Sequence, residues 1–270
     1  MALPSYFMKV IKKAFPFRFI FARLTTLPVL GAAVDRICFE NDDIIYIPMD
    51  KVIEVNKKIE QPQDTVLPSR IVEHFIEMSE YHWIMNRCIC RDSANCKDYP
   101  VELGCIFLGE ATLKIDPLLG RRVTKEEALE HVRRCGEAGL VHLIGRNKLD
   151  ALWLNVGPDN KLLTICNCCP CCCLWKILPD LSSHISSKVT KMPCVSVSVT
   201  DRCTGCGKCT HGTCFVDAVS IVDGRAVISD QCRGCGRCST VCPNQAIEIV
   251  IENDDFVERS IERISSSVEV

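Results

Sequence analysis

The residues of this chain best suited to chemistry are cysteines, which form two similar runs near the C-terminus. In each run three cysteines are separated by two residues, and a fourth follows after a short gap. The runs are Cys203, Cys206, Cys209 and Cys214, and Cys232, Cys235, Cys238 and Cys242. A tight loop brings sulfurs at positions i, i+3 and i+6 together, and glycines inside both runs permit that turn. The repeat therefore predicts two iron–sulfur sites.

Residues from about 193 to 253 resemble the bacterial two-cluster 4Fe-4S ferredoxin family, because the motif C-x2-C-x2-C-x3-C-P is intact from Cys232 to Pro243. The first run differs from the motif, with four residues between Cys209 and Cys214 and with Phe215 where proline is usual. The resemblance implies two β-α-β-like halves in which the fourth cysteine of each run binds the other run's cluster. The implied ligands are Cys203, Cys206, Cys209 and Cys242 for one 4Fe-4S cluster, and Cys232, Cys235, Cys238 and Cys214 for the other.

A pair of zinc sites is the alternative for these runs, since C-x2-C pairs also build zinc ribbons. A third cysteine at the same spacing in both copies favours clusters over zinc. We interpret His211 as a solvated loop residue, because thiolates already fill the ligand positions. Cys194 lies outside the repeat and is interpreted as structural.

Ten further cysteines form two sets in the middle of the chain. One set is Cys88, Cys90, Cys96 and Cys105, and the other is Cys166, Cys168, Cys169, Cys171, Cys172 and Cys173. The first set suffices for one cluster, and the charges of Arg87 and Arg91 would balance a net-negative centre. Neighbouring side chains diverge along a backbone, so we expect alternate members of the second set to face a cluster. The others would pack, bind a second centre or do redox chemistry.

We predict at least one more iron–sulfur centre in this middle region, with structural zinc as the alternative. A C-x-C-R group, a C-N-C-C-P-C-C-C tract and a terminal ferredoxin-like module together resemble ferredoxin-domain iron–sulfur proteins of strict anaerobes. That resemblance implies single-electron transfer with redox partner proteins. The alternatives are an oxidoreductase that reduces a small molecule at a middle centre, and a redox-sensing or zinc-stiffened interaction module. No dinucleotide fingerprint, Walker loop or H-E-x-x-H pair occurs, so no catalytic residue is assigned.

Composition excludes several other classes of protein. The chain has 270 residues, of which 47% are hydrophobic and 24% charged, so it can build a core and is not disordered. Its net charge of −2 argues against general nucleic-acid binding. An odd count of 21 cysteines suits metal thiolates in a reducing cytosol better than a disulfide framework.

The first 34 residues form a basic, aromatic arm with no acidic residue before Asp35. The stretch from Phe19 to Val34 contains Arg23 and Pro28 and is too short to cross a bilayer. Two interpretations remain for this arm: it lies on an anionic membrane surface, or it docks on the protein's own body or on a partner.

The predicted fold is α+β, with a C-terminal dicluster ferredoxin-like domain and an upstream mixed α/β cysteine-rich domain. We expect the arm and short strands in residues 1–60, the cysteine-rich domain in 61–190, the ferredoxin domain in 191–254 and a mobile or weakly helical tail in 255–270. Ser69 is expected to cap a helix that runs past His82 and delivers Cys88. A second helix is predicted from Lys125 to Ala138, with a Thr124/Glu127 capping box and with Cys135 packed as a small hydrophobe. Strands are expected at 44–47, 52–55, 140–144, 151–156 and 162–165.

Overall fold

A computed structural model describes residues 4–55 and 67–270. The chain has an α+β fold, as the sequence predicted. The predicted domain boundary between residues 60 and 61 and the polar linker around Pro62 lie outside the described residues.

A seven-stranded mixed sheet forms the centre of the molecule. Strands β1 to β12 are Asp43–Tyr46, Ile53–Val55, His82–Met85, Ile106–Leu108, Gly120–Val123, Val141–Arg146, Leu163–Cys168, Val189–Lys191, Val195–Val199, Val219–Val222, Arg225–Ile228 and Ile247–Ile251. The central sheet has the order β5-β3-β4-β7-β6-β1-β8, and only the β1–β8 pair is parallel. A three-stranded sheet has the order β2-β12-β9, and β10 pairs with β11. The strand predictions at 44–47 and 52–55 are confirmed by β1 and β2.

Helices cover both faces of the central sheet. Helices α1 to α10 are Pro4–Ala14, Arg18–Leu24, Pro28–Val34, Ser69–Met78, Ile89–Ser93, Lys125–Glu137, Lys148–Leu154, Ser183–Ser186, Arg237–Thr240 and Phe256–Ser267. Short 3-10 helices span Phe15–Phe17, Asp50–Val52, Glu110–Lys114, Asp159–Lys161 and Leu174–Asp180, and a π-helix spans Asp35–Phe39. One sheet face packs against α4, α6 and α10, while the arm, α7 and the 3-10 helix at 174–180 cover the other.

Helix α6 confirms a local sequence signal. Thr124 Oγ1 accepts the Glu127 N–H at 3.2 Å, and the Glu127 carboxylate accepts the Thr124 N–H at 2.9 Å. Gly139 follows the helix with φ +73°, the left-handed conformation that ends helices. Cys135 is fully buried on this helix, as predicted.

One predicted helix is present but shorter than expected, and one predicted strand is wrong. Helix α4 begins at Ser69 itself and ends at Met78, and strand β3, not the helix, leads to Cys88. All four residues of β3 are buried between neighbouring strands, and this pairing overrides the apparent helical spacing that included His82. The apolar stretch at 151–156 was predicted as a strand, but it belongs mostly to helix α7, which buries Ala151 and Leu154 on one face. Strands β6 and β7 confirm the strands predicted around 140–144 and 162–165.

The C-terminal tail is an ordered helix, in contrast to the mobile or weakly helical end that we expected. Phe256 and Ile264 of α10 are buried in the same core as Ile45 and Ile144 of the central sheet. Burying each of these side chains stabilises the helix by roughly 1.5–3 kcal/mol. Arg263 also pairs with Asp43 at the start of β1.

The arm docks on the protein's own body. Ala22 of the arm is buried in a core with Trp175 and Leu178 of the 3-10 helix at 174–180. Thr25 Oγ1 accepts the Ser182 N–H at 2.9 Å, and Arg23 pairs with Asp180. The inner face of the arm is therefore part of the fold. None of the described helices combines the length and apolar character needed to cross a membrane.

Candidate metal centres

We call Cys203, Cys206, Cys209 and Cys242 the first C-terminal group. These four cysteines line one small cavity together with Pro243. Cys242 belongs to the second run, so the fold places the fourth cysteine of one run beside three cysteines of the other. Cys206 is exposed and Cys209 is buried. Burial raises the pKa of the Cys209 thiol, and the neighbouring Cys242 raises it further.

We call Cys214, Cys232, Cys235 and Cys238 the second C-terminal group. Burial, and then the proximity of Cys214 and Cys232, raises the pKa of Cys235 to about 12. Burial also raises the pKa of Cys238, with Cys235, Cys232 and Cys214 contributing. Three of these cysteines, Cys214, Cys232 and Cys235, pack against the core that contains Phe215. This group therefore lies deeper in the molecule than the first C-terminal group.

Backbone N–H groups donate hydrogen bonds to cysteine sulfurs in both C-terminal groups. The pairs are Ala226 N to Cys203 Sγ at 3.3 Å, Ala218 N to Cys214 Sγ at 3.3 Å, Gly234 N to Cys232 Sγ at 3.4 Å, and Ala246 N to Cys242 Sγ at 3.3 Å. Such donors stabilise thiolates, and those from Ala226 and Gly205 lower the pKa of Cys203. Gly205 and Gly234 both have φ +65°, so the two ligand loops share one backbone conformation that glycine adopts readily.

A compact four-sulfur group lies in the middle region. It consists of Cys96, Cys169, Cys171 and Cys172, whose Sγ atoms all lie within 4.8 Å of one another. The Cys96 and Cys171 sulfurs are 3.6 Å apart. Cys96 follows the short helix α5, and the other three follow strand β7. The fold thus separates Cys96 from Cys88, Cys90 and Cys105, with which the sequence had grouped it.

The remaining six middle cysteines, Cys88, Cys90, Cys105, Cys166, Cys168 and Cys173, line a cavity of about 370 Å³ that we call the six-cysteine chamber. Cys38 also reaches its wall, as does Cys169 of the four-sulfur group. The sulfurs of Cys105 and Cys166 are 3.8 Å apart, and those of Cys168 and Cys173 are 3.1 Å apart. The opposite wall of the chamber comes from the arm and includes Ile11, Phe15 and Ala22. The chamber is therefore a cysteine-lined space between the sheet and the arm.

The chamber thiols lie close enough to shift one another's pKa values. Hydrogen bonds from Cys105 and Cys168 hold the pKa of Cys166 well below its usual value. The pKa values of Cys105 and Cys168 rise in turn, because each donates to Cys166. Burial alone would raise the pKa of Cys173, but its contacts with Cys168 and Cys90 lower it to about 6. Soft metal ions displace such protons when they bind thiolates.

Arg91 lies between the two middle groups and is fully buried. Its amino groups donate to Asn167 O at 2.8 Å and to Leu103 O, while its Nε atom has no hydrogen-bond partner. Burial alone would lower the pKa of Arg91, but the thiols of Cys88, Cys169 and Cys105 raise it. In the described part of the chain no carboxylate pairs with this guanidinium. The sulfur groups are therefore its counter-charge, whereas Arg87 is exposed and pairs with Asp92.

Two contacts join the second C-terminal group to the middle groups. Tyr46 of β1 stacks edge-to-face on Phe215 with ring centroids 5.6 Å apart, and its buried hydroxyl has no partner. Burial, followed by the thiols of Cys173, Cys168 and Cys235, raises the pKa of this phenol. Arg237, two residues after Cys235, donates to Gly139 O at 2.9 Å and to the Tyr99 hydroxyl at 2.7 Å. Sequence reasoning missed Tyr46, and no local signal marks it.

The surroundings of three other residues, His211, Cys135 and Cys194, decide how each is interpreted. His211 is exposed, as predicted for a solvated loop residue. Cys135 packs with Leu103 and Leu140 beside the four-sulfur group, but its thiol is not one of the four. Cys194 contacts the main core and has φ +61°, consistent with the structural role assigned to it.

Comparison with known proteins adds one result. A family model described as the LdpA Fe-S cluster-binding domain matches residues 211–252. No curated protein and no solved structure matches the chain. The match covers all four cysteines of the second C-terminal group together with Cys242. The chain therefore contains an iron–sulfur cluster-binding domain, and the thiol groups described above identify a metal-binding protein.

Proposed function

We propose that this protein transfers single electrons through two 4Fe-4S clusters in its C-terminal segment and through a further metal centre in the middle region. The observation that carries the proposal is the presence of two four-cysteine groups that exchange their fourth cysteine. Both groups have backbone N–H donors on their sulfurs. When bound, such clusters accept and release one electron at a time.

The spacing of the sulfurs supports clusters over zinc in the C-terminal groups. Four thiolates bound to one zinc ion at 2.3 Å lie only about 3.8 Å apart, whereas the irons of a cubane separate them further. Among the described residues, the four-sulfur group is the one set of potential ligands that is mutually within 4.8 Å. The sulfurs within each C-terminal group are not mutually within that distance, as expected for ligands that bind different irons of a cluster. The four-sulfur group instead has the dimensions of a site for one tetrahedral zinc or iron ion.

The exposure of the cysteines favours electron exchange with a partner at the first C-terminal group. Cys206 is the single exposed cysteine, so the first C-terminal group is the accessible one. The second C-terminal group is buried against the core that also contains Cys168 and Cys173. We therefore propose that a redox partner protein binds the surface around Cys206. The second C-terminal group would exchange electrons with the middle groups through the buried core.

Metal analysis of anaerobically purified protein tests the proposal. We expect at least about eight irons and eight acid-labile sulfides per chain, and a visible absorbance that bleaches on reduction. The reduced protein should pass electrons to a ferredoxin-type acceptor without turnover of a small molecule. Colourless protein, or protein with zinc in place of iron in the C-terminal groups, would contradict the proposal.

An Fe-S oxidoreductase is the second candidate, because the six-cysteine chamber is large enough for a small molecule. Asp150 also lines this chamber, and its carboxylate accepts hydrogen bonds from Trp153 Nε1 and Asn147 Nδ2, each at 2.7 Å. Burial, and then Cys166, raises the pKa of Asp150 to about 8, so this acid is mostly protonated at neutral pH. Substrate-dependent oxidation of the reduced protein would favour this function over electron transfer alone.

We also propose that the outer face of the arm binds an anionic membrane surface. The arm exposes large apolar side chains, namely Val10, Phe17, Ile20, Phe21, Leu24, Leu27, Val29 and Leu30. Exposed basic residues, Lys9, Lys12, Lys13 and Arg23, accompany them. Apolar side chains next to Lys and Arg suit the boundary between acyl chains and anionic headgroups.

Vesicle sedimentation tests this second proposal. The triple variant Phe17→Ser, Ile20→Ser and Val29→Ser should bind vesicles rich in phosphatidylserine at least about tenfold more weakly than the unaltered protein, because it loses buried apolar area. A matched variant, Met78→Ser, Leu118→Ser and Val222→Ser, removes similarly exposed apolar groups away from the arm and should bind normally. Equal binding by all three proteins, or no binding by the unaltered protein, would contradict a membrane role.

A further inference from the structure

We propose that the six-cysteine chamber binds its own polynuclear iron–sulfur cluster, separate from the ion of the four-sulfur group. This inference deepens the proposed function and rests on it, because it assumes that the chain is loaded with iron and sulfide.

The topology of the central sheet brings the chamber cysteines together. Strands β3, β4 and β7 are neighbours, and β4 is antiparallel to both of the others. The end of β3, the start of β4 and the end of β7 therefore lie at one edge of the sheet. Met85 N donates to Cys105 O at 3.0 Å across this edge, just before the chain reaches Cys88. Cys166 and Cys168 follow at alternate positions of β7, so they share one sheet face.

The number of sulfurs and their arrangement favour several metal ions over one. Two pairs among the six thiols are in contact, Cys105 with Cys166 at 3.8 Å and Cys168 with Cys173 at 3.1 Å, and all six line one cavity. One tetrahedral ion takes four thiolates, so it would leave two of these thiols unused. The sulfurs of the four-sulfur group all lie within 4.8 Å of one another, as the ligands of a single ion must, whereas the six chamber sulfurs do not form such a compact set. A cluster distributes its ligands over several irons and accommodates such an extended set.

The charge and enclosure of the chamber are complementary to an anionic cluster. Arg91 is fully buried and lines the chamber together with Cys88 and Cys105, and its Nε atom has no hydrogen-bond partner. A thiolate-ligated cluster is net negative and would add to the counter-charge that the neighbouring thiols give this guanidinium. The apolar arm residues Phe15 and Ala22 close the opposite side, which restricts water from the thiolates. A cavity of about 370 Å³ has room for a cluster at the cysteine wall.

Iron and acid-labile sulfide analysis of matched variants tests the inference. The unaltered protein should contain about twelve irons in clusters, and the variant Cys105→Ser/Cys168→Ser should lose about four irons and four sulfides. The variant Cys38→Ser is the control, because Cys38 also lines the chamber but lies beside Asp42 and Lys148 instead of the thiols. The variant Cys96→Ser should lose one metal ion and no sulfide.

Alkylation of the folded, metal-loaded protein gives an answer that does not depend on the folding of a variant. Iodoacetamide should leave the six chamber cysteines unmodified until a chelator removes the iron, as mass spectrometry of peptides would show. The inference would be overturned if the protein held only eight cluster irons, all in intact C-terminal groups, and if its chamber cysteines were alkylated before chelation. The proposed function would survive that result. Copper without sulfide in the chamber would overturn the inference equally. Iron-free protein would instead reject the proposed function.

Discussion

Replacing Cys242 with alanine is expected to remove the cluster of the first C-terminal group and leave that of the second intact. Cys242 lines the cavity of Cys203, Cys206 and Cys209, although it belongs to the other run of the sequence. Its sulfur accepts the Ala246 N–H at 3.3 Å, so the thiolate is held in place before any metal binds. The variant should lose about four of the eight C-terminal irons and sulfides. It should also lose the rapid electron exchange that we assign to the exposed side around Cys206.

The reciprocal variant and a non-ligand control make this result specific. Cys214→Ala should remove the iron of the buried second C-terminal group and leave the first group loaded. Cys194→Ala removes a thiol just before β9 that lies outside both groups, and should leave the iron content unchanged. If Cys242→Ala kept all eight irons, the exchange of fourth cysteines between the runs would be refuted.

Replacing Arg91 with methionine is expected to destabilise the protein and to release metal from the middle region. The guanidinium donates to the backbone carbonyls of Asn167 and Leu103, and both would lose a buried partner. Each unpaired carbonyl costs about 1–3 kcal/mol, which corresponds to a Tm lower by at least about 4 °C in a chain of this size. Cys88, Cys105 and Cys169 would also lose the positive charge that compensates their thiolates.

Thermal unfolding monitored by circular dichroism, together with iron and zinc analysis, measures both effects. Arg87→Met is the matched control, because Arg87 is only four residues away but is exposed and pairs with Asp92 at the surface. This control should keep its metal and lose at most about 1 kcal/mol of stability. Equal stability and metal content in the two variants would show that the buried charge of Arg91 has no role in the middle region.

Local sequence was sufficient wherever the determining contacts lie within a few residues. Thr124 and Glu127 contact each other one helical turn apart, so the start of α6 was predictable. The burial of Cys135 on that helix was predictable from its spacing for the same reason. Where sheet pairing decided the conformation, the local pattern failed, and the residues from His82 became a strand instead of the end of α4.

The middle cysteines show the limit of sequence reasoning most clearly. Cys96 and Cys171 are 75 residues apart in the chain, and Cys105 and Cys166 are 61 apart, yet each pair is in contact. Nothing in the spacing of Cys88, Cys90, Cys96 and Cys105 indicates that only Cys96 joins the four-sulfur group. That division follows from the order β3-β4-β7, which brings strand ends together at one edge of the sheet.

The sequence by itself predicted iron–sulfur sites, because three thiols two residues apart converge on one site within a single tight loop, and the family match confirms an iron–sulfur cluster-binding domain. Tertiary structure alone decided which middle thiols share a site, and it turned the arm and the tail into parts of the fold. It also placed Tyr46 and Arg91 between sulfur groups. The physical reason is that these contacts are made by strands and helices far apart in the chain, whose positions depend on burial of the whole core.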